Sequence, residues 1–216
     1  MRSRTLASAT VVVAVCAVVG VFGRMTPAHT APGISLGLCG SERWSVKTLT
    51  DTAASKIAFG TPKKTSIEAL RRLKAPRSLK AATPRARGTE RTVYRVTALL
   101  MSMRREADSD THLVLADPKL GGSMIAELPA SSCTIGATAE ERAAMDRARD
   151  DLAAACGGLA GATPWTLTGT ATLTGVGYFD PIHGQAGVAP NGIELHPVLS
   201  FTSSNCKRVR ATRPRG

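Results

Sequence analysis

Carboxylates and imidazoles are the side chains in this sequence whose spacing could do chemistry. The segment R-R-E-A-D-S-D-T-H places Glu106, Asp108, Asp110 and His112 at every second position, so an extended chain puts them on one side. A second segment, F-D-P-I-H-G-Q-A-G-V-A-P-N-G over residues 179–192, carries His183, Gln185 and Asn191 among turn-forming glycines and prolines. Further on, Ile193, Leu195, Leu199 and Phe201 share one parity of a strand, which sends Glu194 and His196 to the opposite face. The same alternation sets Glu127 against Met124, Ala126 and Leu128, and His112 against Leu113 and Leu115. The expected ligand-binding set is therefore Asp110, His112, Glu127, His183, Gln185, Asn191, Glu194 and His196.

Two carboxylates and two imidazoles, Glu127, Glu194, His112 and His196, suit a divalent metal of the zinc type, which could in turn activate water. The acidic triplet of 106–110 alone, being hard oxygen, suits calcium better. Solvated acidic hairpins and structural strand histidines are the plainer alternative. Serine-hydrolase elbows, P-loops and dinucleotide fingerprints are absent. Whether the site is catalytic stays open on these residues.

The elements that must position these groups are mostly strands. Runs over Val93–Met103, His112–Ala116 and Met124–Leu128 precede a helical window over Glu140–Cys156, which Gly157 and Gly158 stop; strands over Trp165–Tyr178 and Gly192–Phe201 follow. Five strands with one helix between the third and fourth predict a mainly β chain, a small OB-like barrel of order β-β-β-α-β-β. On such a barrel, ligands commonly lie between the loop joining strands 1 and 2 and the loop joining strands 4 and 5. Here those loops are the two polar segments, so the candidate residues converge on one cleft.

Ahead of the barrel, residues 39–74 predict an N-terminal segment packed on it, with Thr65-Ser-Ile-Glu68 as a capping box before a short helix. Residues 75–91 read as a solvated basic linker, 92–205 as the OB-like domain, and 206–216 as a basic disordered tail. The formal net charge is +12, but it is unevenly spread: 92–205 hold seven Lys/Arg against twelve Asp/Glu, whereas 206–216 hold five against none. The expected consequence is weak, salt-sensitive polyanion binding through linker and tail, outside the acidic core.

Residues 1–28 have Arg2 and Arg4, an apolar run from Leu6 to Phe22 and small residues ending at Ala28, the pattern of a secretory signal peptide; an uncleaved anchor is the alternative. Export to a secreted or periplasmic location would leave Cys39, Cys133, Cys156 and Cys206 in an oxidising compartment, where two disulfides are expected. Three connectivities are open; Cys133–Cys156 with Cys39–Cys206 is the favoured one, since the first pair flanks a helix and the second lies near the two ends.

The segments D-S-D-T-H-L-V-L (108–115), M-I-A-E-L-P (124–129) and H-G-Q-A-G-V-A-P-N-G-I-E-L-H-P-V (183–198) resemble those of a family of uncharacterised exported bacterial proteins. The resemblance covers most of 39–202 and implies one shared domain that includes the N-terminal segment; it carries no activity. D-S-D-T is also similar to the calcium-ligand region of staphylococcal-nuclease-like enzymes, although the strand that follows lacks their phosphate-clamping arginine. Three functions follow: an exported OB-like binding module, a metal-dependent secreted hydrolase acting on a substrate such as nucleic acid, or a structural envelope protein that holds anionic polymers.

Overall fold

A computed structural model describes residues 39–209; the expected signal peptide and the tail beyond 209 lie outside the described residues. The described residues open with a short helix α1 (Trp44–Lys47), then an exposed strand β1 (Ala58–Lys64) and a second short helix α2 (Ile67–Arg71). Five barrel strands follow as β2 (Thr92–Arg105), β3 (Thr111–Ala116), β4 (Ser123–Leu128), β6 (Thr170–Phe179) and β7 (Ile193–Thr202). The helix α3 (Ala139–Cys156) stands between β4 and a short strand β5 (Trp165–Thr168), and β8 (Lys207–Val209) pairs with β5. Among the described residues no helix is long and apolar enough to cross a membrane.

The sheet runs β3-β4-β7-β6-β2, and β2 also pairs with β3, which closes a five-stranded barrel. Among the five barrel strands the β4–β7 pairing is parallel and the others are antiparallel. This is the OB-like order expected from the strand and helix sequence. Leu113, Leu115, Met124, Ala126, Leu128, Ile193 and Leu195 join one apolar core with Ala148, Leu152 and Cys156 of α3. The helix is secured by a capping box, in which Thr138 accepts from the Glu141 amide and the Glu141 carboxylate from the Thr138 amide. Gly157 stops it in the left-handed conformation, φ 76°.

The strand phase holds until Pro197 and then shifts. The pairings Gly177↔Leu195, Gly175↔Val198 and Thr174↔Ser200 insert an extra β7 residue twice. Val198 and Phe201 therefore stay in the core, while Leu199, expected inside, packs with Val93 and Val176 in a second cluster beneath Leu49 and Ile57. The capping of α2 also moves by one residue: Ser66 accepts from the Ala69 amide, and Glu68 turns to Arg71 and Arg72 instead.

Residues 39–91 wrap the barrel. Within 75–91, read as a solvated linker, Arg85 and Glu90 are buried. The reason is pairing across the wrap: Arg43 grips Glu90 at 2.6 and 2.8 Å, and Arg85 holds Asp51 at 2.7 Å and the carbonyls of Val46 and Glu90. Gly177 admits this crossing, since a Cβ there would stand 2.7 Å from the Thr89 carbonyl oxygen. Part of the tail is likewise ordered, as Lys207–Val209 forms a strand edge.

Both expected disulfide pairings are corrected. The bonds are Cys39–Cys133 and Cys156–Cys206, with Cα–Cα distances of 5.6 and 5.0 Å. The 18-residue α3 is about 27 Å long at ~1.5 Å per residue. Cys133 could return to Cys156 only along a fully extended 133–139, and that segment turns instead, the Ala137 amide donating to the Thr134 carbonyl. Cys133 thus meets the start of the wrap, and Cys156 meets the chain leaving β7.

Candidate functional site

Register brings the acidic and imidazole groups together. His112 on β3 pairs opposite Glu127 on β4, and Glu194 on β7 pairs with both Ile125 of β4 and Tyr178 of β6. Outward-facing side chains from four strands therefore converge at the end of the barrel where the 106–110 and 180–192 loops meet. Gly187 lets the second loop settle onto β3: its φ is 82°, and a Cβ would fall 2.4 Å from Val114.

These outward groups are not solvated, because the N-terminal segment roofs them. Asp110, His112, Glu127, Glu194 and His196 are all buried. A cleft of about 190 Å³ remains between roof and barrel, lined by Trp44 and Lys47 from the roof and by Glu106, Asp108, Glu127, Asp180, His183, Gln185 and Glu194.

His112 spans the two loops. Its Nδ1 lies 2.9 Å from Glu127 and 3.1 Å from Glu106, and its Nε2 is 3.0 Å from the Ala186 carbonyl oxygen. Burial opposes its charge, but the hydrogen bonds to Glu106 and Glu127 win and push its pKa up to about 10. The same bond, against the penalty of burial, pulls Glu106 down to about 2. With its pKa raised, His112 is held as an imidazolium that donates toward the carboxylates and to the Ala186 carbonyl, while Glu106, His112 and Glu127 also keep the mutual spacing of a metal-ligand group.

His196 is the opposite case. It is fully buried, and burial lowers its pKa to about 3, leaving a neutral ring. Nε2 lies 3.3 Å from Asp110 Oδ2 and Nδ1 3.5 Å from Glu127 and 3.9 Å from Glu194, yet neither nitrogen makes a hydrogen bond. Asp110 Oδ2, Glu194 Oε2, Asp180 Oδ1 and the Tyr178 hydroxyl are orphaned as well. Burial raises Asp110 to about 6, and burial with the charges of Glu127 and Asp180 raises Glu194 well above the carboxylate range. Lys47 is the roof's answer to this charge, 3.8 Å from Asp180 and 5.6 Å from the Tyr178 ring centroid.

The expected set thus divides. Asp110, His112, Glu127, Glu194 and His196 form the floor. Gln185 donates to Asp180 and to the Pro181 carbonyl, and His183 stands exposed at the rim, 3.6 Å from Asp180. Asn191 is corrected: its amide donates to the carbonyls of Leu70 and Leu73 at 2.9 Å, closing the open end of α2 away from the cleft. Sequence reasoning missed Asp180, Tyr178, Trp44 and Lys47. Asp180 was legible, three residues before His183 in the polar loop; Lys47 had no local signal, because it reaches the site across the wrap.

Fold and site define the class: an OB-like closed barrel with a roofed acidic cleft between its 106–110 and 180–192 loops. Compared with protein-family models, with curated proteins and with solved structures, the chain shows no match.

Proposed function

We propose that this is an exported binding module whose roofed cleft takes a small positively charged ligand. The observation that carries the reading is the excess of buried acid. Glu127, Asp180 and Glu194 are buried around the cleft beside Asp110, with half-buried Glu106 and Asp108 at its edge; Lys47 and His112 are the cations facing them, and one oxygen each of Asp110, Asp180 and Glu194 is unpaired. Uncompensated buried carboxylates are costly, so they take up either protons or a cation. At ~30 Å³ per water the cleft holds roughly six waters' worth of atoms, which limits the ligand to an ion or the end of an amine. The signal-like N-terminus and the two disulfides support export.

The test is a thermal-shift panel of diamines, guanidinium and divalent chlorides at matched ionic strength, set against small anions. At least one cation should raise the Tm of the wild type and lose that effect in Asp180→Asn or Glu194→Gln. Stabilisation by anions alone would overturn the reading.

A second reading, attachment to an anionic polymer, has its own support. A groove of about 620 Å³ on another face is lined by Lys64, Arg95 and Lys119 with Thr65, Ser66, Thr97 and Thr172. Its acid, Asp117, is tied up by the amides of Glu68, Lys119 and Leu120. Within the linker Arg85 is committed to Asp51 while Arg77, Lys80 and Arg87 stay exposed, so the groove adds a barrel face to the expected polyanion contact. Arg95→Ser with Lys119→Ser should lower the salt needed for elution from a heparin column; unchanged elution would remove this reading.

A further inference from the structure

We infer that Asp110, Glu127 and His196 hold a divalent metal ion of the zinc or manganese type in the floor of the cleft. The inference deepens the cationic-ligand reading and rests on it. Acidic clusters alone do not make metal sites, and the observation that singles out this one is His196. It is fully buried and its ring nitrogens have no hydrogen-bond partner, although three carboxylates surround it. A buried imidazole normally secures at least one hydrogen bond. Here the groups facing its nitrogens are metal-ligating oxygens, and two of these, on Asp110 and Glu194, are themselves orphaned.

The geometry matches the chemistry. One donor atom from each of Asp110, Glu127 and His196 lies within 4.8 Å of the other two. Asp110 faces Nε2 whereas Glu127 and Glu194 face Nδ1, and a metal takes one ring nitrogen, so reaching tetrahedral donor spacings of ~3.3–3.6 Å requires the ring or one carboxylate to turn as the ion enters. Glu194, 3.9 Å from His196 Nδ1, stands ready as a fourth ligand. One imidazole with two or three carboxylates selects borderline ions over calcium, which takes oxygen alone. The supporting layer is also present. His112 donates to Glu127 Oε1 and orients that carboxylate, and the Ala130 amide, 3.4 Å away, donates to Asp110 Oδ1, leaving Oδ2 toward His196. Glu106, His112 and Glu127 also cluster, but the ring of His112 is spent on hydrogen bonds.

The test uses the full exported protein with its disulfides intact, stripped with chelator and then titrated with zinc alone. The wild type should retain one equivalent through gel filtration, and Asp110→Asn and His196→Asn should each weaken uptake at least a hundredfold. Should either variant fail to fold, ring nitrogen-15 shifts of the unmutated protein decide the matter: zinc should move the His196 signals and leave those of His112 in place. Absence of stoichiometric uptake, or a shift at the exposed His183 alone, would overturn the inference. If zinc fails while diamines still stabilise the protein through Glu194, the metal assignment falls and the cationic cleft stands; if neither binds, both fall.

Discussion

Two buried charge clusters lie beneath the same N-terminal wrap, and they are finished differently. In one, Arg43 meets Glu90 through two hydrogen bonds and also reaches the Phe179 carbonyl, while Glu90 accepts from the Phe179 and Ala86 amides. Every partner is matched, as burial of charge requires. In the other, six carboxylates face Lys47, His112 and Arg104, and orphaned oxygens and nitrogens remain. The first cluster is a clasp that locks the wrap to the barrel. The second keeps unpaired polar atoms buried under the wrap, the feature on which the proposed cationic ligand rests.

The comparison breaks most visibly at the clasp. Glu90→Ala should destabilise the protein by about 3–5 kcal/mol in urea unfolding, because it leaves the Arg43 guanidinium buried and unpaired. A cost below ~1 kcal/mol would mean that the wrap is not locked there. Next in size is the His112 arm. Its raised pKa gives stability that is full below its unfolded pKa of ~6.5 and lost as pH climbs toward about 10; the depressed Glu106 gives stability above ~4.5 that is lost as pH falls toward about 2. In metal-free protein, His112→Asn should therefore cost about 3 kcal/mol near pH 6 and progressively less by pH 9, read from thermal melts across pH.

Smaller again, Asn191→Ala should cost about 1–2 kcal/mol by freeing two carbonyls of α2, with no change in cation binding. A loss of binding would return Asn191 to the cleft. The smallest effect has the opposite sign: in metal-free protein Glu194→Gln should be neutral or stabilising by up to about 1 kcal/mol, since it replaces a carboxyl that burial and the charges of Glu127 and Asp180 already drive toward its neutral form. Equal destabilisation by Glu194→Gln and Glu90→Ala in unfolding experiments would erase the distinction between site and clasp.

Much of this was written locally. Strand alternation in 112–116, 124–128 and 193–196 places Glu127, Glu194 and His196 on one outer face, because a side-chain period of two needs only local backbone geometry. The order of strands and helix carries the barrel, since few closed topologies accommodate it. Phase was lost only after Pro197, where extra residues entered β7; a bulge adds a residue without leaving a periodic signature.

What only the tertiary structure decided are the contacts across long stretches of chain. The disulfide partners, the Arg43–Glu90 clasp, the burial of Arg85 and the descent of Lys47 onto Asp180 join residues between 34 and 136 positions apart. The roof is the decisive case: from sequence, His112, Glu127 and Glu194 sit on an exposed barrel face, and solvated carboxylates would have been ordinary surface. Burial by a segment that precedes them by some sixty residues or more removes water, drives the charges of His112 and His196 in opposite directions, and turns a polar face into the enclosed cluster on which the proposed function rests.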